Sequence, residues 1–149
     1  MSIYTPLPES LILTTKQVKD FEKLQHSLIH MRTWLESHDY QGTAVERVRL
    51  CVRKTSWLGR RKLVTRWEDQ RIYRLSVPYE HEGWRGVQRA TDAFAVNIDG
   101  VLLGNYPYTH HGLAGIVHYS SEWVSAQDAG LKPASIPYII EAIDRATAQ

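Results

Sequence analysis

The chain has 149 residues, 43% of them hydrophobic and 23% charged, with 18 Lys and Arg against 16 Asp and Glu. That length and balance predict one domain over residues 1–149 with a core of its own, and exclude a wholly disordered chain. One cysteine, Cys51, excludes an intramolecular disulfide and a Cys-paired zinc ribbon, and no window approaches the roughly 18 apolar residues needed to cross a bilayer.

Met1 to Leu13 lacks a basic stretch followed by a long apolar one, so export is not expected, and a reducing, cytoplasmic setting without a membrane partner is. Thr14 followed by Gln17 has the form of a capping box, which predicts a helix from about Thr15 to about Ser37. Val18, Phe21, Leu24, Leu28, Met31 and Leu35 recur at spacings of three and four and share one face, leaving His26, His30 and Thr33 on the wetter side.

From Ala44 the period changes to two: Val48, Leu50 and Val52 point one way, Arg47, Arg49, Cys51 and Arg53 the other. The apolar set is expected to pack on the helix carrying Phe21, Leu28 and Leu35. Leu63–Trp67 and Arg71–Val77 read as two further strands joined through a polar turn at Glu68-Asp69-Gln70, giving a three-stranded antiparallel meander. Gly59 with Arg60, Arg61 and Lys62 forms a basic tip between the first two strands. Pro78 to Thr91, with its Pro, Gly and charged residues, reads as a loop. Asp99-Gly100 between Ala93–Ile98 and Val101–Gly104 predicts a hairpin with a two-residue type I′ turn. Gly112–Tyr119 suggests a short strand, Ser121–Ala129 a short helix stopped by Gly130, and Ser135 caps a last helix through about Ala146 with Ile136, Ile139, Ile140 and Ile143 on its apolar side. The expected class is α+β: an antiparallel β meander or sheet packed against a long N-terminal helix, with short C-terminal helices.

Charge is distributed unevenly along this layout. Between Val45 and Leu75 the chain holds ten basic and three acidic residues, a local excess of +7, while the remainder carries −5. Clustered charge of one sign attracts an oppositely charged partner. The expected partner is therefore nucleic acid or an acidic protein surface. Arg47, Arg49, Arg53, Lys54, Arg60, Arg61, Lys62 and Arg66 are the candidate phosphate contacts, with Trp57 as a platform on which a base can stack. The competing reading is a solvated face, or one paired with acids from the rest of the chain. Trp57, Trp67 and Tyr73, which lie among the same arginines, then belong to the core.

Other constellations are thinner. His110, His111 and His118 lie near Tyr106, Tyr108 and Ser120, but neither they nor the His26/His30 pair have the ligand set of a closed zinc site. The string Tyr108-Thr109-His110-His111-Gly112, followed by Val117-His118-Tyr119, resembles the catalytic-histidine strand of the lecithin-retinol acyltransferase group of thiol enzymes. The resemblance spans about a dozen residues. It implies a nucleophilic cysteine, which only Cys51, far upstream, is available to supply. Glu80-His81-Glu82 offers two carboxylates around an imidazole without an assignable third partner. No phosphate-binding glycine loop occurs. The expectation is thus a small non-enzymatic binding, accessory or inhibitory protein, with no cofactor, no bound metal and no catalytic residue. The alternatives are a small hydrolase or transferase using the histidine cluster with Cys51 or a metal, and a protein–protein interaction module.

Overall fold

In the computed structural model, residues 14–55, 57–83, 86–111, 117–129 and 131–148 are described, with backbone alone at 52–54, 61–63, 79–83, 86–92, 106–111 and 117–121. The element order is α1 (Thr15–Ser37), β1 (Ala44–Thr55), β2 (Arg61–Gly83), β3 (Gly86–Asn97), β4 (Leu102–His111), β5 (Val117–Ser125), a 3-10 turn (Pro133–Ser135) and α2 (Ile136–Thr147). The α+β expectation holds: one long N-terminal helix, five strands and a C-terminal helix.

The local signals explain where α1 begins and which side it buries. Thr14 Oγ1 accepts from the Gln17 backbone N–H at 3.2 Å while Gln17 Oε1 accepts from the Thr14 N–H at 2.9 Å, so two free donors at the helix start are satisfied. Phe21, Leu24, Leu28, Met31 and Leu35 are buried, as their spacing requires; Val18 is exposed, so the apolar face begins one turn later than the pattern suggested. At the other end, α2 starts through Pro137 in its first turn and buries Ile136, Ile139, Ala142 and Ile143.

The strands run in sequence order, each antiparallel to the next, and the sheet closes into a barrel where β1 lies parallel to β5 with Val48 opposite Trp123. A five-stranded meander that closes must join its first and last strands in parallel, because its four reversals, an even number, leave them pointing the same way. Alternation along the strands then makes two cores. Val48, Ile72, Ala95, Leu103 and Trp123 face the lumen, one residue from each strand, with Leu50 and Val101 packed against them. Leu75, Val77, Phe94, Val96 and Leu102 face outward and are covered by the apolar sides of α1 and α2.

This arrangement corrects five expectations. Val48 and Leu50 do not pack on α1; they face the lumen, because α1 covers the opposite side of the sheet. Glu68-Asp69-Gln70 is not a turn, since β2 is one strand of 23 residues. Its polar stretch stays extended because it lies in a ribbon exposed to water, with Gln70 Oε1 accepting from Asn97 Nδ2 at 3.0 Å. Pro78 to Thr91 is not a loop but the β2–β3 hairpin, in which Pro78 lies opposite Thr91 and Gly83 opposite Gly86. Beyond Ile72 the recorded strand neighbour of β2 among the described residues is β3 alone, and a strand with a free edge tolerates the missing N–H of proline. Ser121–Ala129 is not a helix: β5 continues to Ser125, with Trp123 turned to the lumen, and a turn follows.

The fifth correction concerns the turn type at Asp99-Gly100. The hairpin is present, but only Gly100 has positive φ (+82°) and the Gly100 N–H donates to the Asn97 carbonyl at 3.0 Å. This is a three-residue turn ending in a left-handed glycine, not a type I′ pair. The Asn97 side chain selects it: Asn97 Oδ1 accepts from the backbone N–H of Asp99 at 3.0 Å and of Val101 at 2.9 Å.

After β5 the chain folds back over β4. Ala126 N–H donates to the Leu102 carbonyl at 3.0 Å, and a Cβ placed on Gly104 would stand 2.6 Å from the Ala129 Cβ. The crossing therefore requires a residue without a side chain at Gly104. Gly104→Ala is expected to destabilise the fold by about 1–3 kcal/mol through overpacking. Chemical unfolding should also show that Ala129→Gly, added to Gly104→Ala, restores part of the loss.

Candidate nucleic-acid interface

The pairing of β2 divides it into two halves. Ile72 is opposite both Ala44 of β1 and Asn97 of β3; before it β2 pairs with β1, after it with β3. The β1–β2 hairpin therefore runs past the end of β3. From Leu50 opposite Arg66 to Thr55 opposite Arg61, each strand has the other as its recorded strand partner among the described residues. The Leu50–Arg66 part of the segment with the +7 excess, with six basic residues and no acidic one, is thus a two-stranded arm standing out from the barrel, while the rest of that segment belongs to the barrel wall.

Register places the candidate residues along it. Val45, Arg47, Arg49 and Cys51 alternate onto the face away from the lumen, opposite Arg71, Asp69, Trp67 and Thr65, and the backbone of Arg53 and Thr55 continues in register opposite Leu63 and Arg61. Arg47, Arg60 and Arg66 are exposed, and Trp57 at the tip is 93% exposed beside Leu58 at 62%. Arg53, Lys54, Arg61 and Lys62 are placed by backbone in the two strands; their side chains lie outside the described residues.

Several of these cations already have protein neighbours. Arg49 Nε stands 3.4 Å from Glu122 Oε2, an ion pair across the seam that closes the barrel. Arg66 lies 3.9 Å from Glu68 with both groups well exposed, a pair of little energetic weight. The Arg47 guanidinium sits 4.8 Å above the Trp67 ring, so Trp67 joins this surface and is no core residue. Arg71 Nη1 donates to Thr43 Oγ1 at 3.2 Å. Part of the basic set is therefore structural, and Arg49 is the clearest case.

Arg74 departs furthest from the charged surface. Its guanidinium turns to the lumen side, bonds Glu46 through both carboxylate oxygens, with Nε to Oε2 at 2.7 Å, and lies 5.6 Å from the Trp123 ring. The Arg74 hydrogen bond holds the Glu46 carboxyl below its ordinary range; burial opposes this and the Trp123 indole assists it. Because the folded-state pKa is depressed, the stabilisation is fully present above the ordinary value of 4.5 and is lost as pH falls through the folded value. Glu46→Gln is therefore expected to flatten the acid limb of stability below about pH 4.5, read as the pH dependence of the melting temperature.

The histidine hairpin lies elsewhere. His110 is opposite His118 and His111 opposite Val117 in the β4–β5 ladder, with their side chains outside the described residues. Cys51 is exposed on β1, three residues beyond the Val48–Trp123 contact, and His118 lies five residues before it on β5. Eight residues of strand separate them by roughly 25 Å along the strand direction, far beyond the reach of a thiol–imidazole hydrogen bond. Glu80, His81 and Glu82 are opposite Arg89, Gln88 and Val87, again with side chains outside the described residues. Among the described residues no group of three or more His, Cys, Asp or Glu is placed to hold a metal ion, and no helix is long and apolar enough to cross a membrane.

One feature of this region was not legible in the linear sequence. At the base of the arm, Trp34, His38, Gln41, Gly42 and Tyr73 line an open recess of about 330 Å³. Trp34 and His38 stack with ring centroids 4.3 Å apart, and Tyr73 meets Trp34 edge-on at 6.0 Å. Trp34 flanks the helical core next to Leu35, a position the helix periodicity does not single out, and only the left-handed turn at Asp39 and Tyr40 brings the chain back so that Tyr73 faces it.

Comparison of the chain with protein-family models, with curated proteins and with solved structures finds no match.

Proposed function

We propose that this protein is a non-enzymatic binding protein whose projecting β1–β2 arm docks on nucleic acid. The observation that carries the reading is the arm itself: a two-stranded ribbon outside the barrel, Leu50–Arg66, holding six basic residues and no acidic one, with Arg60 and Arg66 exposed, Arg47 exposed on the adjoining barrel wall and Trp57 bare at the tip. Phosphates are bound by several cations spaced along a surface, and exposed rings among them serve as stacking platforms. A solvated face supplies no reason for an adjacent Trp57 and Leu58 that are both exposed at the tip.

Titration of the purified chain with single-stranded DNA, duplex DNA and RNA at two salt concentrations tests the proposal. Binding that weakens steeply with salt is the expected result. No binding to any of the three at low salt rejects it and leaves an acidic protein surface as the partner. That second reading rests on the Arg49–Glu122 pair, in which the basic strand already receives a carboxylate from another part of the chain.

A further inference from the structure

We infer that the recess at the base of the arm is a second contact point, taking an unpaired nucleobase, so that the polyanion the arm receives is a single strand; this inference rests on the nucleic-acid reading of the arm. Two observations combine. The first is the chemistry of the recess. The exposed His38 imidazole stacked on Trp34 offers a flat surface to a further ring, Tyr73 stands at the rim, and the Gln41 amide can both donate to and accept from a base edge. Its volume of about 330 Å³ lies at the small end of ligand pockets.

The second observation is continuity. Tyr73 is on the outward face of β2, and the same face carries Arg71, Asp69 and Trp67 at successive alternate positions. Arg47 reaches over Trp67 from β1, and Arg71 bonds Thr43 beside the recess. Recess, Arg71, Arg47 and Trp67 thus lie along one face over roughly 20 Å of strand, with the Asp69 carboxylate opposite Arg47 as the acid within it. In a duplex the bases are paired and stacked and present no free ring face, whereas a single strand offers its backbone to the arginines and its bases to the rings.

The test is amide and indole resonance mapping of the full chain during titration with oligothymidylate and, separately, with a duplex of the same length. The Gly42 amide and the Trp34 indole N–H report on the recess, Arg60 and Trp57 on the arm. Both sets are expected to shift with the single strand, and the recess set to stay fixed with the duplex. Arm shifts without recess shifts overturn the inference and leave the arm reading standing. No shift in either set overturns both. Recess shifts of equal size with the duplex overturn the single-strand assignment. Trp34→Ala should weaken oligothymidylate binding roughly five- to 150-fold, the effect of removing one stacking platform. Because Trp34 also packs on the helical core, the resonance test in the unaltered chain decides the matter where that variant does not fold.

Discussion

Leu28→Ala is expected to lower the unfolding free energy by about 2–5 kcal/mol, because it opens a cavity in the larger of the two cores. Leu28 is fully buried at the middle of α1 among Leu24, Met31, Leu75, Phe94, Val96, Leu102 and the isoleucines of α2. Leu50→Ala should cost clearly less, since Leu50 is only half-buried at the arm end of the smaller lumenal cluster. Chemical unfolding of the two variants checks this order. Equal losses would mean that the lumen and the helix-covered face contribute alike, against the difference in how completely the two leucines are enclosed.

That contrast also shows which parts of the fold the sequence specifies. Helical periodicity names Phe21, Leu24, Leu28, Met31 and Leu35, and the capping box names Thr14, because both signals lie within one element and depend on local geometry. Strand alternation correctly divides Val48 from Arg47 and Arg49. It cannot say which structure covers each face, and closure of the sheet gives Val48 the lumen rather than α1. Polar residues at Glu68-Asp69-Gln70 and Pro78 look like breaks, yet the strand continues through both because one stretch lies at the water-exposed root of the arm and the other where, among the described residues, β2 pairs with β3 alone. Turn chemistry fails more narrowly: Asp99-Gly100 marks the hairpin, while the side chain of Asn97 determines its form.

The candidate interface divides in the same way. Excess charge over Val45–Leu75 is visible by counting, but its distribution is a tertiary fact. Arg74 turns to Glu46 on the lumen side, Arg49 is taken by Glu122, and Arg47 with Trp67 remains outside. The Trp34, His38 and Tyr73 cluster draws on residues separated by more than thirty positions and leaves no periodic signal. A ring pair formed between a helix end and a distant strand is legible only once the intervening turn is known.

Replacing Arg60, Arg61 and Lys62 together with alanine is expected to reduce nucleic-acid affinity at low salt while leaving the melting temperature nearly unchanged. Arg60 is exposed at the tip, and Arg61 and Lys62 open β2 at the far end of the arm, away from both hydrophobic cores. If each side chain neutralises a phosphate, the slope of log affinity against log salt should flatten by about 0.7 per lost contact for a single strand and about 0.9 for a duplex. The size of the change therefore reports both the number of contacts and the form of the nucleic acid. Trp57→Ala should instead leave the salt slope intact and weaken single-strand binding by about 1–3 kcal/mol, since stacking on a base involves no counterion release. Charge and stacking are thus separated by two variants on one tip. A triple variant that binds as tightly as the parent, with the same salt slope, would place the polyanion elsewhere and leave the arm to an acidic protein partner, for which Trp57 and Leu58 would be the apolar centre of the contact.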